Sequence, residues 1–237
     1  MRSPGGGRVL LYHRIDDAHD AVMSVPPTLF VRHLDWIASL GLRVVSVAQL
    51  IAAGSQRDLV AVSLDDGYSS AHAAAAALLA RGWSGTLFVV PGWIDQRREG
   101  FLGWPELAQL VTAGIEVGAH GLTHEDPCRR SEAALSIDFA AARERIQDRL
   151  SRPVPGLAYP FGLAPRAAVA AARASGFAYA CGSEPGANLA RGDPYRLRRN
   201  EVMATDDRLG HLRGKLSGSD DWFRPLRIIE NRIRCGS

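Results

Sequence analysis

Short apolar runs alternate with helical segments along most of the chain, and this alternation restricts the possible folds more than any other sequence feature. The apolar runs predict strands at residues 8–15, 42–47, 59–66, 85–90, 115–120, 156–162, 177–182 and 196–202. Helices are predicted at residues 28–41, 47–54, 69–82, 104–114, 131–151 and 164–176, with one further helix after residue 205. Such alternation indicates parallel βα units, hence an α/β barrel or a doubly wound sheet.

The segment LVAVSLDDGYSS, residues 59–70, ends one of these strands with two adjacent acids. Its apolar residues are nearly continuous, as in a parallel strand that is buried on both faces. Asp65 and Asp66 therefore belong at the carboxyl end of the strand, followed by Gly67 as a turn residue and by a serine that caps the next helix. This end of the strands is where α/β proteins build their active sites.

Composition and charge are those of an ordinary globular protein. The 237 residues are 46% hydrophobic and 22% charged, which suffices for one substantial core, and we expect a single domain over residues 1–237. The net charge of +3 comes from arginines spread along the chain, with a modest concentration near its end. This distribution is too diffuse to indicate a nucleic-acid partner, although it suits a peripheral membrane contact or an anionic carrier.

The three cysteines, Cys128, Cys181 and Cys235, are odd in number and far apart in sequence. This spacing argues against a disulfide framework and against a thiolate zinc site, and it favours a reducing compartment. The opening residues MRSPGGG contain no apolar signal segment, and no apolar run approaches the ~20 residues that span a bilayer. We therefore expect a cytoplasmic protein, although a signal trimmed from the given chain would leave the same sequence.

Several predicted strands end in residues whose side chains can transfer protons or bind a metal ion. His13 ends the first strand and the Asp65–Asp66 pair ends the third, while His120 ends the fifth and is followed four residues later by His124. Because the carboxyl ends of barrel strands share one face, we expect these side chains to lie together. Two imidazoles and one carboxylate leave open positions on a divalent ion, as a hydrolytic metal site requires.

The segments SLDDGYSS, GAHGLTHED and LAYPFG, in this order and at these separations, resemble the first three motifs of the polysaccharide deacetylases, the NodB-like carbohydrate esterase family 4. The resemblance extends to LLYHRID near the start and to YRLRRNEV later, so it covers most of the chain. It implies a distorted (β/α) barrel, TIM-barrel-like with about seven parallel strands. It also implies an enzyme that removes N-acetyl groups from amino sugars of a polysaccharide or glycan precursor.

The same resemblance implies roles for individual residues. Asp65 matches the general base, and Asp66, His120 and His124 match the ligands of a divalent metal ion, for which zinc is expected. The sequence departs from the family pattern at Gly121, where Ser or Thr is usual, and no proline follows His124. Metal binding survives these changes, but the hydrogen bonds around the ligands are expected to differ from the usual ones.

The third motif lacks the arginine that orients the base in much of the family. This form resembles a branch of exopolysaccharide and poly-N-acetylglucosamine deacetylases, in which a histidine on the first strand resembles the general acid. His13 fits that role, and the C-terminal segment offers only His211 instead. For the arginine that orients Asp65 we expect Arg199, with Arg196 and Arg198 as alternatives.

Three aromatic residues are expected to contact the sugar: Tyr159 and Phe161 in the third motif, and Trp93 in a loop. Core packing explains Tyr159 and Phe161 at least as well. Two other functions stay open, namely removal of a formyl or other acyl group from a small or lipid-linked amino sugar, and binding of carbohydrate by an inactive relative.

Overall fold

A computed structural model describes residues 6–18, 23–189, 191–219, 221 and 224–236 of the chain. The strands are β1 (Arg8–Tyr12), β2 (Arg43–Val45), β3 (Leu59–Leu64), β4 (Thr86–Val89), β5 (Glu116–Ala119), β6 (Gly156–Ala158), β7 (Tyr179–Cys181) and β8 (Asn200–Glu201). The helices are α1 (Pro27–Ser39), α2 (Val47–Ala52), α3 (Ala71–Leu79), α4 (Pro91–Asp95), α5 (Trp104–Thr112), α6 (Glu132–Leu150), α7 (Arg166–Ala174), α8 (Leu209–Ser217) and α9 (Arg224–Cys235). Each predicted strand and helix is thus present.

The strands form a single sheet in which every paired neighbour is parallel, in the order β7–β6–β5–β4–β3–β1–β8. Leu197, just before β8, bridges Cys181 of β7, so the sheet curves back on itself. Seven parallel strands therefore surround one axis, while β2 pairs with the first half of β3. With helices packed outside, this is the predicted distorted (β/α) barrel.

The two faces of the strands are both buried, but against different partners. One cluster fills the barrel interior and contains Val9, Ala61, Phe88, Ala158, Tyr179, Cys181 and Leu197. The larger cluster, with Leu10, Tyr12, Val60 and Val62 among its members, packs the outer face of the sheet against the helices. Because successive side chains point to opposite faces, burial of both faces explains the nearly continuous apolar runs.

Two glycines make room for the aromatic rings inside the barrel. A Cβ on Gly118 would overlap the ring of Phe88, and a Cβ on Gly156 would overlap the ring of Tyr179. The Tyr179 hydroxyl donates to the carboxylate of Glu116 at the amino ends of the strands. Aromatic rings and the Glu116 carboxylate thus fill the end of the barrel where the strands begin. The candidate catalytic side chains lie at the other end, where the strands finish.

The structure differs from the sequence prediction at three elements. The strand predicted at residues 156–162 ends early, because Pro160–Gly162 form a single 3-10 turn and proline offers no N–H to a sheet. Helix α4 lies in a predicted loop, where Pro91 occupies a first helical position. After residue 205 there are two helices instead of one, because Gly218 adopts a φ of +93° and ends α8.

The prediction against disulfide bonding was wrong. Cys128 and Cys235 form a disulfide across a sequence separation of 107 residues, joining the loop after β5 to the end of α9. Spacing along the chain could not reveal this pair, which is created by the fold. Disulfides persist in oxidising environments, so the cysteines no longer argue for a reducing compartment. Among the described residues, no helix combines the length and the apolar character needed to cross a bilayer.

Candidate metal centre and active site

Three potential metal ligands converge at the carboxyl ends of β3 and β5. The Nε2 atoms of His120 and His124 lie 3.4 and 3.5 Å from the same Oδ1 atom of Asp66. One ligand atom from each of the three residues lies within 4.8 Å of the other two. The Nδ1 atom of His120 is 2.8 Å from the carbonyl of Ala158, and donation to that carbonyl leaves Nε2 free to face the centre.

The loop that carries His124 is held by a residue that the sequence did not single out, Asp138 of α6. Its carboxylate accepts hydrogen bonds from the backbone N–H of Leu122, at 2.9 Å, and from the hydroxyl of Thr123, at 3.3 Å. Gly121 has a φ of +72° and lies against Asp138, where a Cβ would be only 3.2 Å from the carboxylate. The glycine that departs from the family pattern therefore permits this close approach.

Two of the candidate ligands adopt a backbone conformation that non-glycine residues rarely accept. Asp66 has a φ of +72° and His124 a φ of +61°. Conformations of this kind cost roughly 1–3 kcal/mol and are concentrated at functional sites. Burial raises the pKa of Asp66, whereas burial, together with the nearby His120, lowers the pKa of His124 to about 3. His124 is thus neutral near pH 7, the form in which imidazole binds metal ions.

The other acid of the pair, Asp65, makes a bidentate ion pair with Arg199 inside the barrel. The two guanidinium–carboxylate distances are 2.6 and 2.7 Å, and the side chains are 0% exposed for Arg199 and 3% for Asp65. Burial alone would raise the pKa of Asp65, but the charge and hydrogen bonds of Arg199 outweigh it and lower the pKa to about 2. Arg199 also donates to the carbonyl of Gly182 and to the hydroxyl of Ser63, which fixes its orientation.

Arg196 and Arg198, the alternatives to Arg199, point elsewhere. Arg196 donates to the carbonyl of Ala164, and Arg198 donates to the carbonyl of Ala187. The geometry therefore brings together the predicted pair, Asp65 and Arg199.

His13 follows β1 and is mostly buried on the same face of the barrel. Its Nδ1 atom lies 4.0 Å from Oε1 of Glu201, a residue of β8 that the sequence reading did not single out. The other carboxylate oxygen of Glu201 lies 4.0 Å from Arg227 of α9. A cavity of about 490 Å³ adjoins Glu201 and is walled on one side by α9. His211, the alternative acid, is half exposed on α8 and contacts the carbonyl of Thr205.

The three predicted aromatic contacts separate into two groups. Trp93 and Phe161 flank His124, with ring centroids 5.2 and 4.6 Å from its imidazole, and Phe161 is 43% exposed. Tyr159 is fully buried, and its hydroxyl donates to the carbonyl of Tyr195. Against the expectation from the sequence, Tyr159 therefore has no surface to offer a substrate.

Part of the chain matches a known protein family, and most of it aligns with a bacterial relative. Residues 53–180, just over half of the chain, match the family model described as Polysaccharide deacetylase. The protein YxkH of Bacillus subtilis (strain 168) is 22% identical over 200 residues, which cover 82% of this chain and 70% of YxkH.

Two solved structures share the architecture over nearly their whole length. The Streptococcus pyogenes deacetylase PplD, in complex with acetate, aligns with a TM-score of 0.82 at 17% identity, covering 90% of this chain and 99% of PplD. IcaB from Ammonifex degensii aligns with a TM-score of 0.77 at 22% identity, covering 91% of this chain and 98% of IcaB. At these identities the likeness shows a common fold.

Proposed function

Because the chain belongs to the polysaccharide deacetylase family and is a carbohydrate N-deacetylase, we propose that it is a metal-dependent hydrolase acting on N-acetylated amino sugars of a glycan. Water and the amide are consumed, and acetate and a free amine are released. The two packed clusters belong to one barrel, which supports a single catalytic domain for residues 1–237.

One observation carries the proposal: a candidate metal site lies directly beside a buried carboxylate that is held ionised. The Nε2 atom of His120 faces both groups, at 3.4 Å from Asp66 and 3.8 Å from Asp65. Adjacent acids in different environments suit different tasks, one as a ligand and one as a base.

The donor set fits a zinc ion. Two imidazole nitrogens and one carboxylate oxygen, from His120, His124 and Asp66, match a catalytic zinc site with three protein ligands. When bound, the ion would supply Lewis-acid polarisation of the amide carbonyl.

The remaining steps belong to side chains of the chain itself. Asp65, ionised and oriented by Arg199, accepts a proton from the water that attacks the carbonyl carbon. As the carbon–nitrogen bond breaks, His13 donates a proton to the departing nitrogen, so that a neutral amine leaves. Trp93 and Phe161, beside His124, contact the sugar that carries the acetyl group.

The test compares variants that should lose activity for different reasons. Asp65→Asn should lose most turnover of N-acetylglucosamine oligomers, measured as acetate release, and should keep its metal. His120→Ala should lose both turnover and metal, measured by elemental analysis, because a ligand is removed. A chelator should inactivate the wild type, and added zinc should restore it.

His72→Ala is the matched control. His72 lies on α3, half exposed and 3.8 Å from Glu106, and its loss should change neither metal content nor turnover. Full metal occupancy in His120→Ala would contradict the ligand set, and equal metal loss in Asp65→Asn would contradict the division of roles. A wild type that binds oligomers but releases no acetate would instead be a carbohydrate-binding relative.

A further inference from the structure

The loop that carries His124 is fastened at its far end to α9. Asp126 accepts a hydrogen bond from the backbone N–H of Cys128, at 2.9 Å, and another from Nε of Arg234, on α9, at 3.2 Å. Cys128 is in turn bonded to Cys235, the last residue of α9. A covalent bond and a charged hydrogen bond therefore join the same end of α9 to residues that follow His124 by two and four positions.

The same arginine also reaches the candidate ligand through an aromatic ring. The guanidinium of Arg234 lies 4.6 Å from the ring centroid of Phe161, and that ring lies 4.6 Å from the imidazole of His124. Arg234 thus contacts both the loop that carries His124 and the ring that packs beside its imidazole. Because Arg234 directly precedes Cys235, the disulfide holds this arginine close to both contacts.

His124 needs support on both sides because of its backbone. Its φ of +61° is a conformation that persists only when the surrounding structure fixes it. Before His124 the support comes from Asp138, whose carboxylate accepts hydrogen bonds from Leu122 and Thr123. After His124 it comes from the end of α9. Loosening α9 should therefore let His124 leave the position in which it faces the other two ligands.

A reductant can open the disulfide, since Cys128 and Cys235 are both partly exposed. A thiolate of a dithiol attacks one sulfur, the S–S bond breaks, and the second thiolate of the reagent then displaces the remaining cysteine. The two cysteines gain two electrons and two protons, and the dithiol is oxidised to a disulfide. What then remains of the fastening is the ion pair of Arg234, whose side chain is 47% exposed, and exposed ion pairs contribute little.

We propose that the Cys128–Cys235 disulfide is a redox switch for zinc affinity, acting through Arg234 on the loop that carries His124. The oxidised protein holds His124 in the ligand position, and the reduced protein binds zinc more weakly. This inference rests on the proposed function, because it takes His124 as a metal ligand. Arg234 is a positioning residue, since it acts through the loop and through Phe161.

The test measures zinc affinity by chelator competition, independently of turnover. Oxidised wild type is compared with the double variant Cys128→Ser/Cys235→Ser, and circular dichroism checks that both are folded. The double variant should bind zinc roughly 10–100-fold more weakly, the range expected when the support of a metal ligand is lost. Serine removes both thiols as possible zinc ligands, so this variant reports the loop alone. Wild type reduced with a dithiol should show the same loss and recover on reoxidation.

Arg234→Met tests the route of the switch with the disulfide intact. It should weaken zinc binding roughly two- to fivefold, because it removes a half-exposed ion pair, and Arg234→Lys should lie nearer to wild type. Arg173→Met is the matched control. Arg173 pairs with Asp193 at 2.6 Å and lies 4.3 Å from the ring centroid of Tyr195, so it makes the same two kinds of contact on α7. Its loss should leave zinc affinity unchanged.

Each failure has a distinct meaning. Equal zinc affinity in oxidised wild type and in a folded double variant would overturn the switch. Unchanged affinity in Arg234→Met would overturn its route through Arg234, and this variant decides the question if the double variant does not fold. Oxidised wild type that binds no zinc would instead overturn the ligand set of the proposed function.

Discussion

Replacing Arg199 by methionine removes the guanidinium that pairs with Asp65 while keeping much of the buried volume. Arg199 is fully buried, as Asp65 nearly is, so the substitution leaves an ionised carboxylate without its partner inside the barrel. Breaking a buried pair in this way destabilises proteins by about 3–5 kcal/mol. For a domain whose free energy of unfolding is roughly 5–15 kcal/mol, Arg199→Met should still fold, with a much smaller margin.

The pKa of Asp65 reports the net effect of burial, which raises it, and of the surrounding charges, with Arg199 the largest of these, which lower it. Its fall from 3.8 to about 2 corresponds to about 2 kcal/mol in favour of the ionised form in the folded protein. Because the folded pKa is lowered, this stabilisation is present above pH ~4 and is lost as the pH falls through about 2. In Arg199→Met the effect of burial is less opposed, so the pKa should rise and the acid-side loss of activity should move to higher pH.

The pair is tested by urea unfolding of the wild type, both single variants and the double variant Asp65→Asn/Arg199→Met. This comparison separates the free energy of the Asp65–Arg199 interaction from the other effects of each substitution. The cost of losing Arg199 should be smaller by roughly 1–3 kcal/mol when Asp65 is already neutral, because no orphaned charge then remains. Arg199→Lys should fall between wild type and Arg199→Met, since it keeps the charge but not the bidentate geometry. An equal cost in both backgrounds, or an unmoved acid limb of the pH–rate profile, would refute the reasoning.

Three further predictions use other contacts. Cys235→Ser should lower the free energy of unfolding by about 2–4 kcal/mol, measured in urea, because it opens the long loop closed with Cys128; an unchanged midpoint would contradict this. Asp138→Ala should weaken metal affinity roughly 10–100-fold in chelator competition, because the loop of His124 loses its support, and wild-type affinity would exclude that role. His13→Ala should lower kcat roughly 10²–10⁴-fold with metal retained, whereas a near-normal kcat would place the general acid elsewhere.

The sequence predicted the fold well where local pattern and burial agree. Parallel strands buried on both faces give continuous apolar runs, and the strand at Leu59–Leu64 is the clearest example. The prediction failed where a single residue ended an element, as at Pro160 and Gly218. It also failed for the disulfide, because a pair separated by 107 residues depends on where α9 ends in three dimensions.

At the site, the sequence identified the residues that lie within short motifs. It missed the residues that come from segments far from those motifs along the chain. In the sequence, Asp138 is an ordinary helical acid and Glu201 is part of a strand; the fold brings Asp138 to the loop that carries His124, and Glu201 to His13. Tyr159 could not be separated from Phe161 by type, since both are aromatic residues of one motif. The difference lies in the backbone, because Phe161 has a φ of +58° and is partly exposed, whereas Tyr159 is buried in the cluster between the sheet and the helices. The catalytic roles assigned to these residues stay predictions.

The different surroundings of the two adjacent acids follow from strand alternation and one unusual dihedral angle. Ser63 and Asp65 are two residues apart, so both side chains point into the barrel, where both contact Arg199. Continued alternation would turn Asp66 toward the helices, but its φ of +72° ends the strand and directs the carboxylate to His120 and His124. In the described part of the chain no lysine or arginine lies within ion-pair distance of Asp66. We therefore expect the cation that pairs with this largely buried carboxylate to come from outside the chain, in line with the proposed division of the two acids into a proton acceptor and a metal ligand.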